Sequence, residues 1–213
     1  IVYGLQYLHS QDPPIVHGRL RSSNVLVTDA GESLLCDYDQ ARFADDMPAD
    51  IATNLAPEWA RWAAPEHFSF NTSASGAPVD PWAAPSDMFS LGMTIYEILA
   101  GHKPFAGTSS RMARDAIQDG DRPDIPDAWK QDAEVAVLIG LMTKCWTHDP
   151  GKRPSCSEAV ALLHTDQSGH QPQPVSDGGQ PTGDNPVHLR SEPSRNSTSQ
   201  GRQADLSSGE DRS

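Results

Sequence analysis

Residues able to do chemistry crowd near the start of this 213-residue chain, in HGRLRSSNVLV (His17 to Val27) and in CDYD (Cys36 to Asp39). Arg19 and Arg21 carry guanidiniums that stay protonated, so neither can act as a base. Asn24 and Asp37 carry an amide oxygen and a carboxylate. These are hard oxygens of the kind a divalent cation takes, and both residue types also form turns. His17 precedes Asn24 by seven positions, and the apolar run Val25, Leu26, Val27 comes directly after. One loop of this kind is a weak signal, and its weight depends on companion motifs in a matching order further along the chain.

Such companions are present, and in order. HGRLRSSNVLV resembles the catalytic loop of a protein kinase, H-R-D-L-K-x-x-N before a short strand. CDYDQAR (Cys36 to Arg42) is similar to the metal-binding D-F-G segment, and RWAAPE (Arg61 to Glu66) matches the A-P-E motif. SDMFSLGMTIYEILAGHKPF, from Ser86, resembles the long central helix, and KCWTHDPGKRPS (Lys144 to Ser155) closes the series. The tryptophan of this last motif and the Arg-Trp before A-P-E lean towards the tyrosine-kinase-like branch of the Ser/Thr kinases. On these motifs the chain is identified as a member of the protein kinase superfamily. The implied fold class is mainly α: the C-terminal, helical lobe, with a few short β-strands around the catalytic loop.

The resemblance also implies roles. Asn24 and Asp37 fall on the magnesium-binding positions, and Asn24, Leu26 and Asp37 on nucleotide-contacting ones. ATP and Mg²⁺ are implied for a complete domain. None is expected for this stretch alone, which contains no glycine-rich phosphate loop, strand Lys or helix Glu. His17 and Tyr38 are implied to pack together, Glu66 and Arg153 to form a buried salt bridge, and Asp87 to accept hydrogen bonds from the catalytic-loop backbone. As plain sequence, Ser86 or Asp87 equally reads as a helix cap.

Several positions depart from the family. Arg19 stands where the catalytic Asp accepts the hydroxyl proton, and Arg21 where a Lys steadies the γ-phosphate. Trp59 replaces a small Thr, which sets a bulky indole at the peptide-binding edge. Gly18 replaces the Arg that pairs with a phosphorylated activation loop, and Asp39 replaces a flexible glycine. The expected function is a pseudokinase-like signalling or scaffolding module with impaired phosphoryl transfer. The alternative is an active ATP-dependent Ser/Thr protein kinase once the N-terminal lobe is present.

The elements that must position these residues are legible from pattern. Ile1, Leu5 and Leu8 recur at helical spacing and stop before Asp12-Pro13-Pro14. Short β-rich runs lie at Ile15-Val16, Val25 to Val27 and Ser33 to Cys36. A long helix, apolar on most sides, precedes Gly101. Ser109 to Gly120 and Ala133 to Trp146 read as amphipathic helices, and Ser155 to Glu158 is a capping-box pattern. The segment from Ala41 to Ala64 resembles the activation loop of the kinase family. The Ser/Ala/Gly/Pro-rich stretch between Glu66 and Asp87 reads as a surface insertion.

A formal charge of −13 argues against nucleic acid and against an anionic membrane surface as partners. Other signalling proteins, or a protein substrate, are the expected partners, and oligomeric state is open. No apolar run approaches the roughly 18–20 residues of a membrane span. Cys36, Cys145 and Cys156 are odd in number and lack metal-ligand spacing, which suggests buried thiols in a reducing, cytoplasmic setting. The chain starts with Ile1 inside a helical pattern and reads as a fragment. Its expected division is 1–165, the kinase C-terminal lobe, and 166–213, a disordered low-complexity tail.

Overall fold

The computed structural model describes residues 1–38, 41–43, 57–68 and 80–165. The predicted tail, Asp39, positions 44–56 of the predicted activation loop and most of the predicted insertion lie outside these residues. The described part is mainly helical with four short strands.

Helix α1 (Val2–His9) turns Leu5 and Leu8 inward and Tyr3 and Tyr7 outward. The chain then bends through Asp12-Pro13-Pro14 into β1 (Ile15–Val16). Strands β2 (Val25–Val27) and β3 (Ser33–Leu35) form an antiparallel hairpin in the register Val25↔Leu35, Leu26↔Leu34 and Val27↔Ser33. A strand that the sequence does not announce, β4 (Arg42–Phe43), pairs antiparallel with β1, inside the stretch expected to be all loop.

Helix α2 (Ala84–Ala100) is the axis of the lobe, buried without a break from Ser86 to Tyr96. It begins earlier than the expected caps. Pro85 lies in its first turn, and its N-cap position, Ala83, makes no side-chain cap. The capping expectation for Ser86 and Asp87 is therefore overturned: the Ser86 hydroxyl donates to the Ala83 carbonyl, and the Asp87 carboxylate is engaged elsewhere. The helix ends at Gly101, whose φ of +68° is the left-handed conformation glycine adopts at little cost. Inside it, a Cβ on Gly92 would lie 2.7 Å from the Trp146 ring, so the close approach there requires glycine.

Three further helices complete the lobe. Helix α3 (Ser110–Asp119) is capped by the Ser109 hydroxyl on the Met112 N–H, and α4 (Ala133–Cys145) by the Asp132 carboxylate on the Glu134 and Val135 N–H groups. Before α5 (Cys156–Thr165), Glu158 accepts from the Ser155 N–H at 2.8 Å while its own N–H donates to the Ser155 hydroxyl, so the predicted capping box forms. Met88, Phe89, Leu91 and Met93 of α2 join Ile117 of α3 and Leu141, Met142 and Cys145 of α4 in the core, with Trp146 beside them. Cys145 and Cys156 are buried as expected, and burial pushes the Cys145 thiol up to about 12. Cys36, by contrast, is only partly buried. Among the described residues no helix is long and apolar enough to cross a membrane.

Candidate functional site

The His17–Asn24 loop runs between β1 and β2, and its shape is imposed by α2. Asp87, in the first turns of α2 and 1% exposed, accepts the His17 N–H at 2.8 Å and the Gly18 N–H at 2.9 Å. Gly18 sits at φ +72°, so the turn that delivers both N–H groups to one carboxylate falls on a residue without a Cβ. A third ligand of Asp87 is His9 at the end of α1, with Nε2 to Oδ2 at 2.8 Å and Nδ1 to the Cys156 sulfur at 3.3 Å. Burial pulls the His9 pKa down, but its bonds to Asp87 and Cys156 and the Asp87 charge outweigh this and raise it to about 9. His9 is thus a cation at neutral pH, paired with Asp87.

His17 is fully buried and uses both ring nitrogens. The Arg19 N–H donates to Nδ1 at 3.2 Å, so the proton sits on Nε2, which donates to the Cys36 carbonyl at 3.1 Å. Its ring lies 5.3 Å from that of Tyr38, as predicted, although Tyr38 is half exposed and sends its hydroxyl to the Leu35 carbonyl. At the far end of the loop, Glu97 of α2 accepts the Ser22 N–H at 2.9 Å and the Trp62 indole N–H at 3.0 Å, both on Oε2. Two carboxylates of one helix therefore hold the two ends of the loop.

Arg19 is held from both sides along its backbone, since its carbonyl accepts from the Asn24 amide at 2.8 Å. Asn24 is buried, and with Nδ2 committed to Arg19 its Oδ1 has only a long 3.3 Å bond from the Ser23 hydroxyl. The Asn24 carbonyl accepts the Cys36 N–H, which brings the next residue, Asp37, beside it. Asp37 is exposed and takes φ +68°, an uncommon conformation for a residue with a Cβ. The donors fit a hard cation: one oriented amide oxygen and one exposed carboxylate, neither committed to a strong protein bond among the described residues. Among those residues no group of three or more His, Cys, Asp or Glu gathers as a metal site, so Asn24 and Asp37 would serve an ion that takes its remaining ligands from phosphate and water. Leu26 is exposed opposite Leu34, an apolar pair on the open face of the hairpin.

Trp59 does not stand at an open edge as expected. It is buried in a layer with His67 and Trp82, the two indoles parallel within 3° and 6.3 Å apart, each 4.9 Å from the His67 ring and edge-on to it. The indole is accommodated because residues distant in sequence supply apolar faces for it. Burial is the main cause that lowers the His67 pKa, to about 3, so its ring is neutral. Glu66 and Arg153 form the predicted pair, with Nη1–Oε1 at 2.5 Å and Nη2–Oε2 at 2.8 Å. Arg153 also donates to the carbonyls of Pro85, Thr147 and His148. Reading the sequence misses His9, Glu97 and the layer around Trp59; the Leu-His before a turn and the acid within an apolar helix are the only local signs of the first two.

Known proteins resemble this chain over the same stretch. A family profile described as protein tyrosine and serine/threonine kinase matches residues 1–163. The serine/threonine-protein kinase TNNI3K of Homo sapiens is 30% identical over 164 residues, which cover 76% of this chain and 18% of that protein. Mitogen-activated protein kinase kinase kinase 7 of Bos taurus is 30% identical over 167 residues, 75% of this chain and 25% of that protein. The ankyrin repeat and protein kinase domain-containing protein 1 of Mus musculus is 29% identical over 163 residues, 74% of this chain and 20% of that protein. The chain thus spans a quarter or less of the length of each of these relatives.

Proposed function

Since the chain belongs to the protein tyrosine and serine/threonine kinase family, we propose that it is the C-terminal lobe of a pseudokinase-like domain, a signalling or scaffolding module impaired in phosphoryl transfer. One observation carries this reading: Arg19 occupies the position of the proton-accepting Asp on a loop that is otherwise held in place. Its backbone is fixed by His17 and Asn24, while its side chain is a guanidinium. A guanidinium cannot take the proton of an attacking hydroxyl. A positioned base contributes roughly 10²–10⁴ in rate, and a cation in its place offers no substitute.

In a complete domain Asn24 and Asp37 would hold Mg²⁺, and Leu26 would lie beneath the nucleotide. The bound metal would neutralise phosphate charge. This chain's own residues orient the site: Asp87 holds the start of the loop, Glu97 its end, and Asn24 the Arg19 carbonyl. ATP and Mg²⁺ binding therefore separates from proton acceptance, because different residues carry them. The proposed setting is cytoplasmic and the proposed partners are other signalling proteins.

A second reading is favoured by one observation, the intact loop clamp. Transfer rests largely on positioning and electrostatics, so an active Ser/Thr kinase with this loop is the alternative. A phosphotransfer assay on the chain extended by its upstream lobe decides. We expect no transfer from the natural sequence and a gain on Arg19→Asp in protein that binds Mg-ATP. Turnover of about 1 s⁻¹ or more without the substitution, within the ordinary kinase range, would sink the pseudokinase reading.

A further inference from the structure

Three side chains that metals bind meet where α1, α2 and α5 join, outside the candidate catalytic loop. The sulfur of Cys156, the first residue of α5, lies 3.3 Å from His9 Nδ1 and 3.5 Å from the Met88 thioether of α2. Cys156 and Met88 are buried, and the His9 side chain, 11% exposed, is the edge of the cluster that reaches solvent. The three stand far apart in sequence, so the cluster is a product of the fold and no spacing along the chain marks it. Among the described residues no group of three His, Cys, Asp or Glu forms a metal site. Here it is a thioether that completes the set.

The hydrogen bonds show which atoms face the cluster. His9 Nε2 donates to Asp87 at 2.8 Å, and Asp87 is itself fixed by the His17 and Gly18 N–H groups. A metal-binding His commonly donates its other ring N–H to a carboxylate, which fixes both tautomer and ring orientation. That support is already in place, and it leaves Nδ1 aimed at sulfur. In the metal-free protein the Nδ1–H donates to the Cys156 sulfur, and the Cys156 thiol donates to Met88. Removing these two protons leaves an imidazole nitrogen, a thiolate and a thioether side by side. Metal bonds of about 2.0–2.3 Å hold ligand atoms roughly 3.5–4 Å apart, so the separations found need only a small opening. Thiolate and thioether are soft ligands that select Cu(I), whereas Zn²⁺ takes thiolate, imidazole and carboxylate.

We propose that His9, Met88 and Cys156 form a binding site for a monovalent copper ion, Cu(I), with Asp87 orienting the His9 ring. Binding exchanges two protons, one from Nδ1 and one from the thiol, for the ion, and no group is oxidised or reduced. The ion ties α1 and α5 to the helix that holds the candidate catalytic loop. The site shares no ligand with Asn24 and Asp37, and it is independent of whether phosphoryl transfer is lost.

The test sets the 213-residue chain, reduced and kept free of oxygen, in competition for Cu(I) with the coloured chelator bicinchoninate. The chain should withdraw one copper ion per molecule, and the bound ion should raise the thermal unfolding midpoint. X-ray absorption at the copper edge should read two sulfurs and one nitrogen at roughly the 2.0–2.3 Å of first-row metal bonds, a measurement that needs no variant. Met88→Leu keeps the volume that a core requires and removes only the thioether, and it should lower Cu(I) affinity by about tenfold or more. Cys156→Ser should lower it further. Cys36→Ser removes the partly buried thiol and should change nothing. Circular dichroism confirms that each variant folds. No copper withdrawn, unchanged affinity in Met88→Leu, or an equal loss from Cys36→Ser and Cys156→Ser overturns the proposal. So does a copper edge with fewer than two sulfurs, or a preference for Zn²⁺ over Cu(I).

Discussion

Among the described residues two buried carboxylates, Glu66 and Asp87, hold distant segments together, and they are held by different chemistry. Glu66 meets a guanidinium through two parallel hydrogen bonds, and the remaining Arg153 donors are spread over backbone carbonyls before α5 and in α2. Asp87 meets two backbone N–H groups and an imidazole. The first centre joins the A-P-E segment to the end of the lobe through a paired guanidinium and carboxylate. The second joins α1, α2 and the candidate catalytic loop, and one of its three donors can lose a proton. A fixed strut thus supports the scaffold, and an adjustable one supports the site.

Breaking the strut should have the largest effect. Arg153→Ala leaves the Glu66 carboxylate buried without its partner, and such losses cost about 3–5 kcal/mol. Chemical denaturation should show that loss together with a general loss of helix. A drop under about 1 kcal/mol would mean that the site readily admits water.

Asp87→Asn should cost less, about 1–3 kcal/mol, because an amide oxygen at the Oδ2 position still serves His17 and His9 while the Gly18 N–H is left unserved and the charge facing His9 is removed. Its signature should be local. Hydrogen exchange should speed up at His17 and Gly18 while α4 keeps its protection, whereas uniform loss across the lobe would make the two centres equivalent.

A separate pair of effects should appear with pH. The folded pKa of His9, about 9, exceeds the ordinary 6.5, so the folded state binds more protons between those values. The stability it contributes is complete below about 6.5 and is lost as pH rises through about 9. His67 has the opposite sign. Its folded pKa, about 3, lies below the ordinary value, so stability falls as pH drops from 6.5 towards 3. Denaturation midpoints across this range should flatten on the alkaline side in His9→Gln and on the acid side in His67→Leu. An unchanged alkaline limb in His9→Gln would show that His9 is not the titrating strut.

What the sequence announces and what it hides divide along the same line. The helix ends are legible because their signals are local: Ser109, Asp132, Gly101 and the Ser155–Glu158 box act within one turn of chain. The catalytic loop is legible because its residue order is itself a signature, and Glu66 with Arg153 because their motifs are. His9 and Glu97 act on partners 78 and 75 residues away, and nothing beside them in the chain marks that use. The cap expected at Ser86 or Asp87 fails for the converse reason. A good capping residue is drawn into a tertiary bond, and the helix begins earlier on Pro85. Strand β4, two residues long, exists only through its pairing with β1.

The layer of Trp59, His67 and Trp82 carries a consequence for spectroscopy. Two parallel indoles 6.3 Å apart are close enough to share excitation, and the imidazole between them is neutral while the layer is closed. A protonated imidazole quenches indole emission more strongly than a neutral one. This ring can take up a proton near its ordinary pH only when the layer opens. Tryptophan emission from this corner therefore dims in mild acid only as it opens, giving the region beside A-P-E its own optical signal without any label.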